Sequence, residues 1–274
     1  MLETLDIQEV TKAATEGDAQ MQCLLGLCYF SGTKVQQSDD ESVKWMRLSA
    51  EQGNVRAQDM LSFFYDEGRG VPQSYEEAVK WLRKAAEQGD AKTQSALAYH
   101  YAKGMGVEQS YDEAVKWYLK AAEQGDVNAQ VSLGKYYIDG KGVISSATEA
   151  IKWLKKAAEQ NDGESQFILG VFYGSGSGVP QSWEIAASYF RLAVKNGYKE
   201  AEEKLTKVEY ILQKQVEVEK LKADVEHIEQ QAKEESARST SNNAGSGSGC
   251  MVFLMIMLSP AIAVGGYYLY TIFS

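Results

Sequence analysis

The sequence predicts an all-α protein: an α-solenoid of helix–turn–helix repeats, then a long helix, a polar linker and one transmembrane helix. Three observations carry this. Leu25, Leu61, Leu97, Leu133, Leu169 and Leu205 fall at an unbroken spacing of 36 residues, the mark of a repeat array. Other columns keep the same period: Tyr29, Tyr65, Tyr101, Tyr137 and Tyr173; Gly32, Gly68, Gly104, Gly140 and Gly176; Trp45, Trp81, Trp117 and Trp153, continued by Tyr189. Finally, residues 251–273 contain no charged side chain, and about 20 apolar residues suffice to span a bilayer.

Residues 1–17 read as a capping half-repeat, and residues 18–198 as five repeats of two helices each. In the first helix of a repeat, Met60, Leu61, Phe64 and Tyr65 make one apolar face, as helical spacing requires. The segments "GRGV", "GMGV", "GKGV" and "GSGV" follow, where glycine accepts positive φ as the chain reverses. The second helix opens at Ser38, Ser74, Ser110, Ser146 or Ser182, with Glu41, Glu77, Glu113 and Glu149 three residues on. That pairing predicts a reciprocal capping box. Ala78, Trp81, Leu82, Ala85 and Ala86 line its face, Gly89 stops it and Asp90 caps the next helix. Two helices cannot bury such faces alone, so stacked copies must bury one another's. The tryptophans are therefore read as core, each worth about 3–5 kcal/mol on truncation.

Residues 199–237 read as a long charged helix, capping the array through Leu205, Val208 and Leu212. Val218, Leu221, Val225, Ile228 and Ala232 then follow 3,4 spacing. A short coiled coil and a solvated spacer both fit that pattern. Residues 238–249 are a Ser/Asn/Gly linker, and 250–273 a C-terminal tail anchor. Lys233 and Arg238 precede the anchor and no basic residue follows it, which puts the repeats on the cytosolic side. Ala261 and Gly265 form a small-xxx-small pair that hints at weak dimerisation. Cys250 at the membrane boundary is a candidate for lipidation, with an unmodified boundary residue as the plainer reading.

The pattern "LGKYYIDGKGV…EAIKWLKKAAEQ" resembles the Sel-one-like repeat family, a branch of the tetratricopeptide-like α-solenoids, over about residues 8 to 205. The resemblance implies a right-handed superhelix of helix pairs used for protein–protein contact. Departures sit near the array ends: "GTKV" and Ser42 in the first repeat, "RLAVKNGY" and Tyr189 in the fifth. The paired cysteines of the family's secreted, disulfide-rich branch are absent. Cys23 and Cys28 lie five apart in one expected helix, a separation too long for a disulfide.

The net charge of −10 argues against nucleic acid, whose binders carry basic stripes. With two histidines and no metal-ligand spacing, neither a metal nor another cofactor is expected, and no catalytic constellation supports an enzyme. His100 shares a column with Phe64, Tyr136 and Phe172 and is read as a packed residue. Binding is expected where first-helix columns vary. In related arrays the first helices line the concave surface, so Asp59, Phe63, Asp66, Ser95, Tyr99, Val131 and Lys135 are the candidate groove residues. Phe63, Tyr99 and Lys135 lead, as exposed aromatics and a lone cation with no packing role. The expected function is that of a membrane-tethered adaptor binding a protein or peptide. Alternatives are a subunit of a quality-control complex like that of endoplasmic-reticulum-associated degradation, and a chaperone cofactor.

Overall fold

A computed structural model describes residues 6–242, which contain α-helices and turns. The chain divides into two compact units, the first ending at Leu205 and the second beginning at Thr206. In the first, α1 (Ile7–Thr15) precedes five helix pairs. These are α2 (Ala19–Ser31) with α3 (Asp39–Glu51), α4 (Val55–Glu67) with α5 (Tyr75–Glu87), and α6 (Ala91–Lys103) with α7 (Tyr111–Glu123). The last two are α8 (Val127–Asp139) with α9 (Ala147–Glu159), and α10 (Gly163–Ser175) with α11 (Trp183–Lys195). Each helix packs on the next in sequence, the pattern of a solenoid. The last helix, α12, runs Ala201–Asn242.

Every paired helix has 13 residues, about 20 Å of rise, because the same caps recur. First helices start on Asp18, Asn54, Asp90, Asp126 and Asp162 and end on a left-handed glycine with φ of 66–72°. Second helices start on the predicted serines, whose Oγ accepts the N–H three residues on. The reciprocal half of the capping box is corrected. The serine N–H groups donate instead to the carbonyls of Tyr29, Tyr65, Tyr101, Tyr137 and Tyr173. Freed of that role, Glu41, Glu77, Glu113 and Glu149 pair with Lys44, Lys80, Lys116 and Lys152 one turn on. The serine therefore ties two helices together, which a local capping box does not.

The leucine column is buried throughout the five pairs. Trp81 and Trp153 are buried, while Trp45 and Trp117 are half-buried. Lys84, Lys120 and Lys156 place their ammonium groups 4.0, 3.9 and 4.4 Å from the Trp81, Trp117 and Trp153 ring centroids. Attraction to the ring face thus roofs each indole with a lysine stem. Where tyrosine replaces tryptophan, Tyr189 stacks on Tyr173 at 5.7 Å.

A polar column missed in the sequence runs through this core. Gln22, Gln58, Gln94, Gln130 and Gln166 are buried and recur every 36 residues. Each donates Nε2–H to a carbonyl in the last turn of the preceding second helix: Ala14 (of α1), Ala50, Ala86, Ala122 or Ala158. Each accepts at Oε1 from the amide that ends its own repeat: Gln52, Gln88, Gln124, Gln160 or Asn196. A buried amide without partners costs about 1–3 kcal/mol, so this bond set admits one stacking register.

The second turn glycine explains the departure at "GTKV". Gly70, Gly106, Gly142 and Gly178 all have positive φ. A Cβ on Gly142 would stand 2.6 Å from the carbonyl carbon and oxygen of Tyr111, and one on Gly70 equally close to Asp39. Both neighbours belong to the preceding second helix. The corresponding residue in the first pair, Lys34, keeps the same left-handed backbone at φ 66°, where the element before it is α1 and no such second helix stands.

In the second unit α12 continues through Asn242, so residues 238–242 of the expected linker are helical. Glycine and proline are absent from the chain between Gly197 and Gly245, so nothing forces a stop. Val208 is buried and Leu205 and Leu212 are half-buried, but Ile211, outside the expected set, is buried too. Among the described residues no helix is long and apolar enough to cross a membrane. The expected anchor at 250–273, Cys250, and residues 243–249 of the linker lie outside the described residues.

Gly142→Ala should lose about 2–4 kcal/mol, combining overpacking with a left-handed alanine. Gly89→Ala, whose Cβ meets nothing within 4 Å at φ 95°, should lose only about 1–2 kcal/mol. Lys34→Gly should be stabilising. Thermal melts of the three variants check the order.

Candidate binding groove

Three consecutive first helices, α4, α6 and α8, frame a groove of about 870 Å³. Its wall includes Asp66 and Glu67 from α4, Lys92, Ser95, Tyr99 and His100 from α6, and Asn128 and Ser132 from α8, with Tyr118 of α7 beneath. Of the residues expected here, the structure brings together Asp66, Ser95 and Tyr99. Tyr99 is 48 % exposed and Ser95 is buried. Asp59, Phe63, Val131 and Lys135 lie outside this cavity's lining.

Two expected exposures are explained by neighbours that include a residue of an adjacent repeat. Phe63 sits edge-on to Phe30 and Phe64 at centroid distances of 5.9 and 5.8 Å. The Arg69 guanidinium lies 5.8 Å from its ring and 4.8 Å from that of Phe30, held in place by a bidentate pair of 2.9 Å bonds to Asp39. Phe63 therefore has a packing role, although 37 % of it stays exposed. Lys135 is no lone cation: its Nζ is 2.7 Å from the Glu164 carboxylate on the next first helix. Val131 is buried. Asp59 is half-buried, and burial, aided by the charge of Asp90 and opposed by Lys92, raises its carboxyl above the usual range.

The groove's most distinctive group is His100, 3 % exposed. Its Nδ1 lies 3.1 Å from the Met105 carbonyl oxygen and its Nε2 3.1 Å from Asp66 Oδ2. Both partners are acceptors, so the ring satisfies both only as a doubly protonated imidazolium. Burial opposes that charge, but the Asp66 hydrogen bond, the Asp66 charge and the Met105 carbonyl outweigh it and raise the pKa. The second Asp66 oxygen, Oδ1, is buried without a hydrogen-bond partner. Sequence reading placed His100 correctly as a packed residue but missed its ion pair, because Asp66 stands 34 residues away in a different column. Below it, burial raises the Tyr118 hydroxyl, with a hydrogen bond to Ser132 pulling the other way.

Among the described residues no three His, Cys, Asp or Glu side chains gather into a metal-binding group. Cys23 and Cys28 are buried free thiols, each raised by burial.

The fold and groove define an α-solenoid of the protein-interaction type. The Sel1 repeat model matches residues 19–54, 55–90, 91–126, 127–162 and 163–198; the chain belongs to the Sel1 repeat family. It is similar to c5321, a protective antigen of uropathogenic Escherichia coli with an SLR fold. That match has 35% identity and a TM-score of 0.74 over 76% of this chain and 44% of the other. It is also similar to a Sel1 repeat protein from Oxalobacter formigenes, with 35% identity and a TM-score of 0.64 over 69% of this chain and 75% of that one. The chain thus spans less than half the length of the E. coli antigen. No curated relative matches it. Sel1-repeat proteins are in general scaffolds for protein–protein interaction.

A histidine raised on folding contributes stability that is complete below its unfolded value near 6.5 and is lost as pH rises through the folded value. The melting temperature should therefore fall from mildly acid to mildly alkaline pH. His100→Phe, the residue of Phe64 and Phe172 in that column, should flatten that slope in parallel melts.

Proposed function

We propose that this chain is a membrane-tethered adaptor that binds a protein or peptide segment along its first-helix surface. The single observation that carries the reading is the groove across α4, α6 and α8. The scaffold columns of leucine, glutamine and glycine repeat without change there, while the columns to which the lining residues Ser95 and Tyr99 belong differ from repeat to repeat. Positions 59, 95, 131 and 167 are Asp, Ser, Val and Phe; positions 63, 99, 135 and 171 are Phe, Tyr, Lys and Val. A wall that only had to pack would reuse one solution, as the leucine column does. Asp59, Phe63, Asp66, Ser95, Tyr99, Val131 and Lys135 are the assigned contact set, with Tyr99 and Asp66 at its centre. Asp66 Oδ1, without a donor of its own, favours a ligand that brings one.

The tether is residues 251–273, whose 23 uncharged residues meet the length of a bilayer span. The basic residues on its N-terminal side support a cytosolic repeat domain, and Cys250 is the residue placed for lipidation. Tethering confines the search for a partner to a surface and raises its effective concentration.

Replacing Phe63, Tyr99 and Lys135 together by alanine should remove crosslinked partners from membranes while the helical circular dichroism persists. An unchanged partner set on a folded variant would place binding elsewhere. Protease added to sealed membranes should digest residues 6–205 and spare the segment at 251–273; a shielded repeat array would overturn the cytosolic placement.

A further inference from the structure

We propose that α12 is a self-association element, pairing with α12 of a second copy as a short parallel coiled coil. The inference is independent of the groove reading. Over residues 217–232 the helix carries a heptad seam with Val218, Val225 and Ala232 at a and Leu221 and Ile228 at d. Leu221, Val225 and Ile228 are 56 %, 36 % and 62 % exposed and share one face of a largely polar helix, whereas exposed Val216 stands alone at f on the outer side. Three apolar side chains aligned at 4- and 3-residue steps in water are an unfavourable surface for an isolated helix. Burial of such a stripe is what drives coiled-coil pairing.

The residue types select the occupant. β-Branched valine at a with leucine at d, as at Val218, Leu221 and Val225, is the combination that favours two parallel strands, while Ile228 at the second d position does not add to that preference. The flanks supply charge complementarity: in a parallel pair, g of one helix faces e of the next heptad on its partner. Glu217 at g then meets Lys222 at e of the second copy, twice by symmetry. Within one helix Glu217 is bonded to Lys214 at 2.7 Å and Lys222 to Glu219 at 2.9 Å, so pairing across two copies exchanges these exposed intrahelical contacts for ones between helices. Asp224 and Glu229 face each other in the following heptad with like charge, and Lys214 occupies the d position above Val218. These features end the seam after about two heptads and set the pairing as weak, dependent on concentration and strengthened by salt at the Asp224–Glu229 contact. Confinement of the chain to a surface raises that concentration.

The test uses the full chain in membranes, carrying Cys250→Ser so that the native boundary thiol cannot contribute. Leu221→Cys places a thiol opposite its own copy in a parallel pair, and Val216→Cys places one on the outer side of the same helix. Mild oxidation should give disulfide-linked dimers from the Leu221→Cys chain and few from the Val216→Cys chain. Separately, Leu221→Glu with Ile228→Glu should raise the dimer dissociation constant at least about tenfold in detergent solution, with helical circular dichroism retained. Equal crosslinking at positions 216 and 221 would overturn the proposal, as would a dimer that survives the double glutamate change, which would place association in residues 251–273. A chain that stays monomeric in membranes and detergent alike would overturn it as well.

Discussion

The array depends on one buried amide per repeat. Apolar faces of helix pairs are non-directional, and leucines and alanines alone would accept several sliding registers. The glutamine of each first helix removes that freedom, because its donor and its acceptor must both be met by groups fixed at helix ends. One end belongs to the preceding repeat or, for Gln22, to α1, and the other to the glutamine's own repeat. The serine caps act in the same sense: their N–H groups reach back to the tyrosine-column carbonyls of the first helix. Packing supplies the cohesion, and these hydrogen bonds supply the register.

Against that uniform frame, the groove is built from exceptions. His100 stands where the other repeats place aromatic rings or Cys28. The His100 ring in that position is hydrogen-bonded to Asp66, and Asp66 in turn stands where the other repeats have Phe30, Ala102, Ile138 and Gly174. The polar middle of the first-helix surface is thus a coupled pair of substitutions. The aromatic cluster of Phe30, Phe63 and Phe64 under Arg69 gives one end of the array a different character again. Variation between repeats thus spares the leucine and glutamine columns and falls on positions where neighbouring repeats make individual contacts, such as Phe63 with Phe30 and Lys135 with Glu164.

Much of the fold was legible because periodic letters have periodic causes. The leucine, tyrosine, tryptophan and glycine columns, and the serine caps, each name a backbone or packing need at a fixed offset. The glutamine column was equally periodic and yet unread, since a polar side chain is ordinarily assigned to the surface and only the stacked geometry shows its two partners. The reciprocal capping box failed for a related reason: the local pattern of Ser and Glu was present, but a carbonyl from another helix competed for the serine N–H and won. The site was the least legible part. Phe63 and Lys135 read as unattached because Phe30 and Glu164 approach them from neighbouring repeats, 33 and 29 residues away, and such contacts follow from the stacking of repeats, which composition does not encode.

The left-handed glycines at the repeat joints carry a consequence for how such a molecule can change in length. Each joint from Gly70 onward has a like steric demand, set by the first residue of the second helix in the unit before it: its carbonyl at Gly70, Gly106 and Gly142, and the Ala147 methyl at Gly178. A whole 36-residue cassette can therefore be gained or lost with every junction chemically intact, whereas an insertion of any other length breaks one. Growth by quanta is permitted everywhere along the array except through the second and third units, where His100 and Asp66 must remain adjacent for either to be tolerated.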